Sequence, residues 1–66
     1  MTIEVNGSPR EVADGTTVAD LLAAMGLPAS GIAVAVDGEV VPRADHVRTS
    51  VSEGAVVEIL TAVQGG

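Results

Sequence analysis

The segment Asp14-Gly15-Thr16-Thr17-Val18-Ala19-Asp20-Leu21-Leu22-Ala23-Ala24-Met25-Gly26-Leu27-Pro28 decides the fold. Val18, Leu21, Leu22 and Met25 fall at i, i+3, i+4 and i+7, the spacing that lines one apolar stripe along an α-helix. Thr17 stands just before the stripe, where its hydroxyl can accept an amide proton that the first turn leaves unpaired. Asp20, three residues on, can reach back in a short-armed capping box. Gly26 sits where a left-handed C-terminal residue is expected, and Pro28 follows it. The stripe predicts a core helix, because so short a chain has little else with which to cover a sheet.

Outward from the helix the pattern changes to strands. Before it, Ile3 and Val5 alternate with polar residues over Thr2–Val5, and Asn6-Gly7 is the strongest short hairpin signal. A return strand is predicted from about Arg10 to Ala13, with Pro9 at its start suiting an edge position. After the helix, Ile32–Val36 is a β-branched and small apolar run closed by Asp37-Gly38. Glu39–Val41 then returns as a second hairpin, and Pro42 stops it. Arg43 to Glu53 mixes charges, hydroxyls and two isolated valines, which predicts turns or one short helical turn. Ala55 to Val63 is the longest strand-like run, with Val57, Ile59 and Val63 on one face and Val56, Glu58, Leu60 and Ala62 on the other. The order is ββαββ, turn, β. It predicts an α+β fold with a mixed sheet of about five strands and one main helix on one face, the last strand pairing centrally with the first.

Composition removes more functions than it suggests. The 66 residues carry 3 Lys+Arg against 9 Asp+Glu, a formal charge of −6, and contain no cysteine, no aromatic residue and no lysine. One domain, residues 1–66, exhausts this length. Without cysteine there is no disulfide, thiolate metal site or cysteine nucleophile. Net negative charge repels phosphate backbones, and missing aromatics remove the stacking platforms that single strands use, so nucleic acid is not the expected partner. No stretch approaches the ~20 apolar residues of a membrane span, and the amino terminus lacks a basic start, so a cytoplasmic location is expected.

The chemistry-bearing feature is the tail Gln64-Gly65-Gly66. Glycines lack a Cβ, so such a tail is narrow enough to thread a slot that side chains would block. A carboxylate at its tip is ionised at neutral pH and is an unhindered oxygen nucleophile. The dipeptide alone is also compatible with a chain end that has no role, since glycine is common at such ends.

Three segments add context. They are Asp14-Gly15-Thr16-Thr17-Val18 with Leu21-Leu22; Ile32-Ala33-Val34-Ala35-Val36-Asp37-Gly38-Glu39-Val40-Val41-Pro42-Arg43; and Glu53-Gly54 with Val57-Glu58-Ile59 through Ala62-Val63-Gln64-Gly65-Gly66. In these the chain resembles the ubiquitin-like sulfur carrier proteins, most closely the thiamine-biosynthesis (ThiS-like) family of β-grasp domains. The Val41-Pro42-Arg43 segment and the tail are the specific parts. Two departures concern local packing. His46-Val47 stands where the family usually has a tryptophan, and Ala55 where an aspartate commonly follows the Glu/Asp-Gly turn.

The resemblance implies a carrier that is the substrate of other enzymes and holds no cofactor of its own. An activating adenylyltransferase using ATP and magnesium would convert the Gly66 carboxylate to an acyl adenylate. A cysteine-derived persulfide would supply sulfur to leave a thiocarboxylate, and a thiazole synthase would receive it. Without a thiol of its own, the chain can hold sulfur only on a carboxylate. Without lysine, it offers no acceptor for linking further copies.

Docking requires a surface as well as a tail. Leu60, Ala62 and Val63 are the predicted partner contacts, with Val56 on the same face as Leu60 and Ala62, on an apolar patch rimmed by acids; Gln64 and Gly65 form the tail that leads to Gly66. Scattered surface apolars are the competing reading of Leu60 and Ala62. His46 is a lone histidine with no metal partners spaced around it, next to an Asp45 expected to be solvated. Arg43 is expected either to meet a partner carboxylate or to tie its loop to an acidic neighbour. Two other functions stay open at this point: sulfur delivery to another product such as molybdopterin, and a β-grasp interaction module for which Gly65-Gly66 is incidental.

Overall fold

The computed structural model describes residues 1–28 and 30–61. Its elements are β1 (Thr2–Val5), β2 (Ser8–Glu11), α1 (Val18–Ala24), β3 (Ile32–Val36), β4 (Glu39–Val41), a 3₁₀ turn (Arg43–Asp45) and β5 (Val56–Thr61). The five strands form one mixed sheet in the order β2-β1-β5-β3-β4. β1 and β5 run parallel at its centre, and both hairpins are antiparallel. The α+β order read from the sequence is therefore the observed one.

Both hairpins close through two residues in the left-handed region. Asn6 and Gly7 have φ of 50° and 84°, and Asp37 and Gly38 have 51° and 86°. Positive φ at both central positions is the type I′ geometry, whose twist matches that of the flanking strands. Asn6-Gly7 also explains one shift in boundary. A two-residue turn puts Ser8 directly opposite Val5, so pairing resumes at once and β2 occupies Ser8–Glu11 rather than Arg10–Ala13. Pro9 lies inside this strand, and an edge position tolerates its missing N–H.

The same turn residues serve the central strand. The N–H of Glu4 donates to Ala55 O at 2.9 Å and that of Asn6 to Val57 O at 2.9 Å, so the next step of the parallel ladder falls on Ile59. The backbone turns away at Asn6, and its side chain takes over. Ile59 N–H donates to Asn6 Oδ1 at 2.8 Å, and Asn6 Nδ2 donates to Ile59 O at 3.2 Å. On the other side Asp37 repeats the device: its N–H donates to Val56 O at 2.7 Å, and its Oδ1 accepts from Val56 N–H at 2.9 Å.

Helix α1 starts and stops as the sequence indicates. Asp20 N–H donates to Thr17 Oγ1 and Thr17 N–H donates to Asp20 Oδ2, each at 3.1 Å, completing the capping box. Gly26 has φ of 72°; its N–H donates to Ala23 O and that of Leu27 to Leu22 O, the paired bonds of a Schellman ending. Val18, Leu21 and Leu22 are buried against Ile3, Val5, Val34, Val57 and Ile59, with Val51 and Ala55 completing the core.

Arg43 to Glu53 is more ordered than its composition indicates. Val18 N–H donates to Thr49 O and Ala19 N–H to His46 O, so the loop supplies two acceptors that the first helical turn lacks, and Val51 N–H donates back to Thr16 O. Val51 is a core residue of this loop, and Val47 is not. Removing the cap by Thr17→Ala is expected to lower stability by about 1 kcal/mol. In a urea titration the midpoint should fall while the slope stays unchanged.

Candidate functional site

The sheet has a covered face and an open one. Side chains alternate along each strand, and the register fixes which share a face. Glu4 opposes Val56, Leu60 opposes Ala33, Glu58 opposes Ala35, and Ala35 opposes Val40. These residues lie opposite the face that packs on α1. Leu60 is 68% exposed and Val40 is 73% exposed, while Val56 is more modestly so. The result is an apolar strip of Val40, Ala35, Ala33 and Leu60, with Val56 further along β5.

Leu60 thus occupies the outward position read from the strand alternation. Glu58 stands between Val56 and Leu60 on the same face, as the alternation places it, so one acid interrupts the apolar patch rather than rimming it, and Glu4 lies opposite Val56. A partner for this face therefore needs an apolar surface that also places a cation or hydrogen-bond donors against Glu58, since an unpaired carboxylate is costly to cover. The sequence reading overlooked Ala33, Ala35 and Val40. The alanines at alternate positions of Ile32–Val36 were the available signal, but only the pairing register brings them beside Leu60.

β5 also forms the root of the tail. Thr61 pairs with Ile32 and Leu60 with Ala33, and these four line a shallow depression with Gly31. Ala62, Val63, Gln64, Gly65 and Gly66, the rest of the predicted contact and modification residues, lie outside the described residues.

His46 has a structural place. It is 3% exposed, its Nε2 lies 3.1 Å from Val41 O, and its backbone carbonyl accepts from Ala19. It therefore joins the end of β4 to the start of α1. Asp45, expected to be solvated, pairs with Arg48 at 3.6 Å and its carbonyl accepts from Thr49 Oγ1. Among the described residues it is Arg48, not Arg43, that ties this loop to an acid. Arg43 is exposed beside a groove lined by Ala19, Leu22, Ala23, Leu27, His46 and Val47. Among the described residues no cluster of His, Cys, Asp or Glu is arranged to hold a metal ion.

A family model described as the ThiS family matches residues 3–66. Two solved structures of Geobacter metallireducens proteins are similar to the chain. One is the crystal structure of a thiamine biosynthesis protein (ThiS), 35% identical, with 100% of each chain covered and a TM-score of 0.85. The other is the solution structure of a thiamine biosynthesis protein, 36% identical, covering 100% of this chain and 88% of that one, with a TM-score of 0.82. No curated protein matches the chain.

Leu60 and His46 should respond unequally to substitution. Leu60→Glu changes an exposed position and is expected to shift stability by no more than about 0.5 kcal/mol. His46→Ala empties a buried site and leaves Val41 O without its side-chain donor, so a loss of about 2 kcal/mol is expected. Thermal unfolding of the two variants beside the parent checks both.

Proposed function

We propose, because this chain belongs to the ThiS family, that it is a sulfur carrier for thiamine biosynthesis, with the Gly66 carboxylate as the group that takes up and yields sulfur. The observation that carries this reading is the family match over residues 3–66, which extends through the β-grasp sheet and helix to Gly65-Gly66.

A carboxylate resists attack by sulfur until it bears a good leaving group. In the proposed sequence a carboxylate oxygen of Gly66 attacks the α-phosphorus of ATP held by an activating adenylyltransferase. The bond to pyrophosphate breaks and an acyl adenylate forms. The terminal sulfur of a cysteine-derived persulfide then attacks the acyl carbon and AMP leaves. A second thiol cleaves the resulting S–S bond, leaving the thiocarboxylate. A thiazole synthase accepts that sulfur.

Charge developing on the phosphates needs cations, and magnesium with basic residues of the partner must supply them. This chain has three arginines, no lysine and a net charge of −6. It is the substrate in every step, and the cytoplasm, with ATP and reduced thiols, is the proposed setting. Leu60, Ala62 and Val63 contact the partners, with Glu58 requiring a cationic counterpart. The acidic surface speeds encounter with basic enzymes, an advantage that salt removes.

Incubation with ATP, magnesium, a persulfide donor and a competent activating enzyme should give the oxygen-to-sulfur increment in the intact mass. Deletion of Gly66 should abolish it. Absence of both adenylate and increment would reject the carrier reading. Leu60→Glu is expected to raise the KM for the chain in adenylation roughly tenfold, the loss of a moderate interface contact, with little change in kcat.

A further inference from the structure

Asn6-Gly7 has a chemistry apart from its turn. Asparagine before glycine is the sequence most open to spontaneous deamidation, because glycine has no side chain to obstruct attack by its own amide nitrogen. The Gly7 nitrogen bonds to Asn6 Cγ, the Cγ–Nδ2 bond breaks, and ammonia leaves carrying the displaced proton. Water then opens the cyclic imide to aspartate or isoaspartate. Nothing is oxidised or reduced.

In this fold the reacting amide is already engaged. Asn6 Oδ1 accepts from Ile59 N–H at 2.8 Å, and Asn6 Nδ2 donates to Ile59 O at 3.2 Å. Both bonds hold Cγ against β5, in a residue fixed at φ of 50°. We propose that Asn6 is a latent modification site: its clamp on Ile59 withholds deamidation in the folded chain, and the reaction, once it occurs, permanently unfastens β5 from the β1–β2 turn.

The irreversibility follows from the products. Aspartate replaces the Nδ2 donor by an oxygen, so two acceptors face each other at Ile59 O. Isoaspartate adds a carbon to the main chain, and the two-residue turn that sets Val5 opposite Ser8 cannot absorb it. A protonated aspartic acid differs from both: its O–H donates and its carbonyl accepts, as the asparagine amide does. The strands meeting at this point carry Glu4, Glu58 and Arg10, which are the same in parent and variant.

Parallel samples of the full chain are incubated at mildly alkaline pH, one folded and one in denaturant, and isoaspartate at position 6 is followed by peptide mapping. The folded sample should deamidate at least roughly tenfold more slowly, as expected when two hydrogen bonds must first open. Asn6→Asp should melt below its parent at neutral pH and approach it on acidification. Asn6→Gly, which keeps the turn and deletes the clamp, should show the deficit without that recovery. Equal rates in the two samples, or an Asn6→Asp chain as stable as its parent at neutral pH, overturns the proposal.

Discussion

The structure depends on keeping β5 bonded on both sides while both neighbouring strands leave it. β1 ends at Val5 and β3 at Val36, each passing into a two-residue turn whose left-handed backbone points away from the ladder. Left there, Ile59 and Val56 would lose acceptors on the central strand, and for the part-buried Ile59 amide a missing partner is costly. Asn6 and Asp37 solve this within the turns themselves, because each has a side-chain carbonyl or carboxylate oxygen two bonds beyond Cβ. The tolerance of Asn and Asp for positive φ and their reach to the ladder are used together. A glycine would satisfy the turn and abandon the strand.

With β5 fixed, burial follows from supply. One short helix is available, and it covers one face of a five-strand sheet. The other face carries small or exposed apolar side chains interrupted by Glu58 and Glu4. A large unbroken apolar face would promote association of copies, whereas a carboxylate within it penalises any partner that brings no compensating charge. In the proposed carrier role the acids would do two jobs, keeping the open sheet face selective and lending the surface a steering charge.

Much of this was legible. Thr17, Asp20 and Gly26 announce the helix ends, and the Asn-Gly and Asp-Gly pairs announce the hairpins, because each signal acts within a few residues of itself. The parallel pairing of the first and last strands was readable only as economy of topology. The loop from Arg43 to Glu53 was legible as turns with one short helical turn, found at Arg43–Asp45, but not as a support for the helix, since that role is carried by the carbonyls of His46 and Thr49, which any residue possesses. His46 itself looks from the sequence like an isolated titratable group, and only the fold shows it buried against Val41. Of the site, Leu60 was placed by strand alternation, while Val40 and the alanines of β3 needed the register. The tail was identified by residue type and resemblance alone.

The link between the open face and the tail lies in β5. Leu60 projects from the open face, and Thr61, the next residue, is paired with Ile32, so the point from which the tail departs is anchored to the sheet. Five residues from Thr61 to Gly66 span at most about 17 Å. In the proposed carrier role, contact with this face would hold the Gly66 carboxylate within that distance of Thr61. Confinement of this kind raises effective concentration without adding contacts at the reacting atoms. It requires that β5 remain in register, and the side chains of Asn6 and Asp37 bond to β5 where the main chains of β1 and β3 have turned away.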